Sequence, residues 1–166
     1  MVRIEETTNV LLRLTTGEEV TCKVHLTTDH GTREESGKTY STRECSIRMI
    51  APGWEADGAG EDHFEALMQL RLKLEPLGHV LLCYGASLNV FPSGMMRDMA
   101  DGLTAYRLEK VDAHKRGEDL DERDVSVYIF DTGPDVVPAT VKEQIDNYAR
   151  WSGLDATPED WWPGLA

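Results

Sequence analysis

The chain has 166 residues, 40% of them hydrophobic, and sets 30 Asp and Glu against 17 Lys and Arg, for a formal net charge of −13. That length suits one domain, large enough to bury roughly 70% of its unfolded surface without disulfide or metal staples. A negative field of this size repels phosphate backbones and anionic lipid, which sets aside nucleic acid and membranes as partners and favours a basic protein.

The charge also serves plain solubility, and it is uneven: residues 1–78 carry a net −5 and residues 79–166 a net −8. The three cysteines, Cys22, Cys45 and Cys83, are odd in number, lie among apolar or β-prone neighbours and lack ligand-like spacing. That is the pattern of buried free thiols in a reducing compartment. The opening MVRIEETTNV is acidic where a secretory signal would be basic and then apolar, and no run reaches the ~18 apolar residues of a membrane span. A cytoplasmic location follows as an expectation.

In chain order, residues 9–26 read as a β-hairpin. Val20, Cys22, Val24 and Leu26 alternate with polar neighbours, Val10, Leu12 and Leu14 supply the matching face, and Thr16-Gly17 makes the turn. The polar stretch Thr27 to Lys38 predicts a long exposed loop, after which Tyr40 and the alternating Cys45, Ile47 and Met49 predict a third antiparallel strand. Pro52 ends it, and residues 53–60, with three glycines and Trp54, read as a connection.

Asp62 and Glu65 have capping-box spacing and predict a helix over 62–75 that buries Phe64, Leu67 and Met68 and is stopped by Pro76 and Gly78. The unbroken apolar run Val80 to Tyr84 predicts a central strand buried on both faces, the element around which the chain is organised. After the Gly85-Ala86-Ser87 interruption and a short β-prone piece (88–91), Pro92-Ser93-Gly94 opens a Met-rich helical turn that Gly102 closes. Residues 105–108 read as a strand, 110–123 as a charged loop and 125–130 as a buried strand. Pro138, the Val141, Ile145 and Tyr148 stripe, and Gly153 predict a last helix over 138–152.

The expected fold is therefore a single α+β domain over 1–166: a mainly antiparallel sheet of about six to seven strands with two main helices, 62–75 and 138–152, packed on it. An acidic tail, 154–166, carries Trp161 and Trp162, rings that either pack back on the domain or form a contact surface.

No constellation assembles a catalytic set. Asp131-Thr132-Gly133 after the apolar Val127 to Phe130 resembles the active-site signature of aspartic proteases, which implies two such aspartates sharing a proton across a homodimer. The sequence departs from that pattern, with Pro134 in place of a small residue and a helical continuation, and a turn that ends a strand accounts for the same residues. Cys22 and His25, three apart on a strand, point to opposite faces and cannot share an ion. The run Asp119, Asp121 and Asp124 lacks the glycine and closing glutamate of a calcium loop. Gly85-Ala86-Ser87 lacks the glycine spacing of a nucleophile elbow. No metal and no cofactor are therefore expected.

Two readings of function follow. In the first, a non-enzymatic acidic protein-binding module, of the inhibitor or immunity type, neutralises a basic toxin or nuclease. Its contacts come from Glu118, Asp119, Asp121, Glu122, Asp124, Asp131 and Asp135, where seven acids meet the single base Arg123, with Trp161 and Trp162 beside them. In the alternative, an enzyme or sensor for a carboxylate or phosphate uses Tyr84, the Ser93-Gly94 amides and Arg97. The Met and Trp content keeps a homo-oligomer open.

Overall fold

In a computed structural model, which describes residues 1–153, the chain opens with a four-stranded meander. Its strands are β1 (Val2–Arg13), β2 (Glu19–Glu35), β3 (Lys38–Ala51) and β4 (Trp54–Gly60). Helix α1 (His63–Leu74) follows, then β5 (Val80–Leu81), β6 (Val90–Phe91), α2 (Gly94–Met99) and β7 (Thr104–Arg107). The rest comprises α3 (Leu108–Lys115), α4 (Glu122–Val125), β8 (Ser126–Tyr128) and α5 (Val141–Ser152). The class is α+β, but the described strands form two antiparallel sheets rather than one: β4-β3-β2-β1-β5 and β6-β7-β8.

The period-two alternation of β1 to β3 sets the face of the large sheet. Val10 opposes Cys22, Val24 opposes Met49 and Leu26 opposes Ile47, all buried, while the intervening residues face outward. The loop expected over Thr27 to Lys38 is instead the outer half of two long strands. Ser36 and Gly37, at φ 52° and 76°, close them in a two-residue turn whose positive φ angles match the strand twist. Polar composition alone suggests irregularity there, yet a strand exposed on both faces has no apolar alternation to display. The expected connection at 53–60 is β4, whose glycine lets α1 lie against its backbone: a Cβ at Gly58 would stand 2.1 Å from the Ala66 carbonyl oxygen.

The expected central strand over residues 80–84 is the largest correction. Only Val80 and Leu81 pair, with Arg13 and Leu12 at the edge of the large sheet, and Tyr84–Ala86 form a 3-10 turn. The run is apolar because it crosses from the edge of the large sheet to the segment after β8, the Leu82 amide donating to Leu11 and the Tyr84 amide to Asp131, and Leu81, Leu82, Cys83 and Tyr84 are all buried. Continuous hydrophobicity reports burial on every side and does not say whether the backbone is paired. The charged loop expected over 110–123 holds α3 and the turn of α4, with Leu108 and Ala113 turned inward. Strand pairing over 125–130 is confined to β8, and Ile129 and Phe130 pass on into the core.

Both main helices form close to their expected positions. Asp62 accepts a hydrogen bond from the Glu65 amide at 2.8 Å, and α5 starts at Val141, past the Pro138 expected in its first turn, with Thr140 capping it in a reciprocal box with Glu143. α1 covers the large sheet, and α5 packs beside it with Tyr148 stacked on Phe91 of the small sheet, ring centroids 4.0 Å apart. Among the described residues no helix is long and apolar enough to cross a membrane.

Candidate functional site

The α3–α4 connection is held open by its own caps. Asp121 accepts the Arg123 amide at 2.9 Å to start α4, so the carboxylates around it project from a short polar turn instead of folding inward. Glu118, Asp119, Asp121, Glu122 and Asp124 are all exposed. Two are already paired: Glu118 with Arg116 at 3.3 Å, and Asp121 with Arg123 at 2.7 Å, whose guanidinium holds the Asp121 carboxyl below its ordinary range. Asp119, Glu122 and Asp124 have no ion pair among the described residues.

Asp131 is exposed too, but it lies past the opposite end of β8, where its carboxylate and that of Glu6 add to the rise in the Tyr128 pKa, which burial dominates. The expected single acidic patch is thus divided, and Asp135 leaves it altogether. Tyr84 donates its hydroxyl to Asp135 Oδ1 at 2.6 Å and Arg107 donates Nε to Oδ2 at 2.7 Å. Burial works to raise the Asp135 carboxyl, but these two bonds outweigh it and hold the pKa below its ordinary value. Arg107 also stacks over the Tyr84 ring at 4.8 Å and donates to the Asp124 carbonyl, locking β7 to α4. Trp161 and Trp162 lie outside the described residues.

The residues of the alternative site do not converge. Tyr84 is held by Asp135 and Arg107, whereas Arg97 donates Nε to the buried Asp62 at 2.7 Å, and Ser93 accepts the Met96 amide to cap α2. Each polar group is spent on holding the fold. The Asp131-Thr132-Gly133 segment is an irregular connection leaving β8 toward α5, with Asp131 in solvent.

Two polar clusters escaped the sequence reading. On α1, Arg71 is 2% exposed and donates to the Gln144 side chain, to the Ala139 carbonyl at 2.7 Å and to the Gly85 carbonyl at 3.3 Å. Burial pulls its pKa down to about 10. It stands at the wall of a cavity of about 220 Å³ lined also by Arg13, Glu75, His79, Leu74 and Leu81. The signal was present: Phe64, Leu67, Met68 and Arg71 fall at i, i+3, i+4 and i+7, so Arg71 sits on the buried stripe. The second cluster joins Thr28 Oγ1 to His63 Nε2 at 2.9 Å, and the buried His63 Nδ1 has no partner among the described residues. A hydroxyl beside an imidazole has the outline of a nucleophile and base, but both residues are sealed in the core, at 5% and 1% exposure.

The thiols are equally closed to chemistry, since burial pushes Cys45 and Cys83 up to about 11 and leaves them protonated. Among the described residues no group of three or more His, Cys, Asp or Glu is placed to hold a metal ion. No protein-family model and no curated protein matches the chain.

Proposed function

We propose that this protein is a non-enzymatic binding module that receives a basic protein partner on the carboxylates of residues 118–124, as an inhibitor or immunity-type protein neutralising a cationic toxin or nuclease would. The observation that carries this reading is the exposure of Glu118, Asp119, Asp121, Glu122 and Asp124 on one short turn, with Asp119, Glu122 and Asp124 unpaired among the described residues. Exposed, uncompensated charge accelerates encounter with an oppositely charged surface and selects against anionic ones. Asp135 has no part in it, its charge being paired with Arg107.

The test is association with a panel of cationic proteins at low and high ionic strength. The on-rate for a true partner should fall by about 10- to 100-fold on adding salt, because the Debye length shrinks from about 30 Å at 0.01 M to about 10 Å at 0.1 M. The combined variant Asp119→Asn, Glu122→Gln, Asp124→Asn should lose most of that salt sensitivity. A panel in which nothing binds with a salt-dependent rate, or a triple variant that associates like the parent, removes the proposal.

A further inference from the structure

The large sheet leaves one long edge open. β1 pairs with β2 over its whole length, from Val2 opposite His30 to Arg13 opposite Glu19, without a bulge. On its other side β5 covers only Leu12 and Arg13, and the Leu82 amide donates to the Leu11 carbonyl. Because peptide groups alternate sides along an unbroken strand, those of Arg3, Glu5, Thr7 and Asn9 point the same way as that of Leu11, away from β2. Among the described residues no hydrogen bond reaches them on that side.

Natural edges are blunted by bulges, prolines, short length, charge or a covering element, and among the described residues this one has over residues 2–7 only the charges of Arg3, Glu5 and Glu6; Tyr128 meets the Thr8 side chain and bounds the open stretch there. The edge also carries apolar side chains into solvent, Val2 at 62% and Ile4 at 45% exposure. Residues 2–7 are themselves exposed, although the β2 residues they pair with include the buried Leu26 and Thr28, so among the described residues the edge is open while one face of the neighbouring strand is covered.

The order of charges along the edge identifies its occupant. In an antiparallel pair made by two copies of one strand, hydrogen-bonded partners must both be outward-pointing residues, which restricts the two-fold registers to a few. Centring the axis on Ile4 sets Ile4 against Ile4 and places each Arg3 opposite the other copy's Glu5. Moving the axis to Glu5 sets Glu5 against Glu5, and moving it to Glu6 sets Glu6 against Glu6, both unfavourable. We propose that the outer edge of β1 pairs with the same edge of a second copy, antiparallel and centred on Ile4, with two reciprocal Arg3–Glu5 contacts. Arg3 already holds Asp29 through Nε and Nη2, and its Nη1 is not engaged in that pair. The strand is its own complement in this register, which an unrelated extended peptide would match only by chance. The ladder lies away from the 118–124 turn in sequence and uses different charges, so it stands or falls independently of the proposed docking.

Sedimentation of the full chain from about 10 µM to about 1 mM covers the range in which interfaces at the small end of the size scale associate. A concentration-dependent dimer is expected. Arg3→Glu alone and Glu5→Arg alone should each weaken it by at least about tenfold, since two cross-strand attractions become repulsions. Glu5→Arg leaves the Arg3–Asp29 pair in place, so its effect cannot come from losing that pair. Mixing the two variants should restore association as a heterodimer, because both cross-strand contacts then set a glutamate of one variant against an arginine of the other. A chain that stays monomeric throughout, a dimer indifferent to either reversal, or a mixture that fails to recover overturns the proposal, and circular dichroism of both variants guards against a lost fold.

Discussion

At the scale of single residues, the polar groups that sequence inspection favoured as ligands are mostly engaged in holding the chain together. Arg97 neutralises Asp62, and Arg107 neutralises Asp135 while Tyr84 donates a hydrogen bond to it. Charge and spacing can nominate such residues, but only position tells a solvated carboxylate from an internal counter-ion. His63 gives the clearest consequence. Burial holds its pKa below the ordinary 6.5, against the pull of Asp101 and Asp62, with Arg43 adding to the depression. A depressed imidazole means that the unfolded chain binds the extra proton first. The stability His63 contributes is therefore present above pH 6.5 and is lost as the pH falls below it. Urea midpoints taken at about pH 7.5 and about pH 5.5 should drop by more in the parent than in His63→Gln, with a slope of at most about 1.4 kcal/mol per pH unit from this one group. Equal drops would show that the imidazole is not the titrating group.

At the scale of elements, what was legible depended on which periodicity an element had to display. The hairpin of β1 and β2 and the helices α1 and α5 were readable because each buries one face and exposes the other, leaving a period of two or of about 3.6. β4 was not, because Trp54, Glu55, Ala56, Asp57, Gly58 and Ala59 show small residues where a strand usually shows branched ones. The reason is α1, which lies so close that side chains are excluded. Gly58→Ala would bring a Cβ within 2.1 Å of the Ala66 oxygen and 2.6 Å of the Leu70 nitrogen, both backbone atoms that cannot swing aside. The cost should be about 3 kcal/mol of unfolding free energy, at the upper end for overpacking. Gly94→Ala, which meets nothing within 4 Å, should change stability by less than about 0.5 kcal/mol. Similar denaturation midpoints for the two variants would contradict the close contact of α1 with β4.

At the scale of the whole molecule, the two sheets are joined by a buried polar staple as well as by apolar packing. Arg71 on α1 reaches Gly85, Ala139 and Gln144, while Gln144 on α5 donates to the carbonyls of Gly85, Ser87 and Val90. The carbonyls of Gly85 and Ser87 belong to the irregular crossing, where no ladder satisfies them, and that of Val90 stands at the start of β6. Arg71→Met, which keeps much of the volume, should cost roughly 3 kcal/mol in chemical denaturation through acceptors left unsatisfied. A variant as stable as the parent would show that the staple is dispensable. Local patterns of apolar and polar residues were enough for the class, the first hairpin, both main helices and the burial of residues 81–84. The tertiary arrangement settles that the run is a crossing and not a central strand, that the strands divide into two sheets, that Asp135 pairs with Arg107 and that β5 covers only the last part of β1. Those outcomes rest on which distant segment supplies the partner for a backbone or a charge, and that choice leaves no periodic trace in the neighbouring residues.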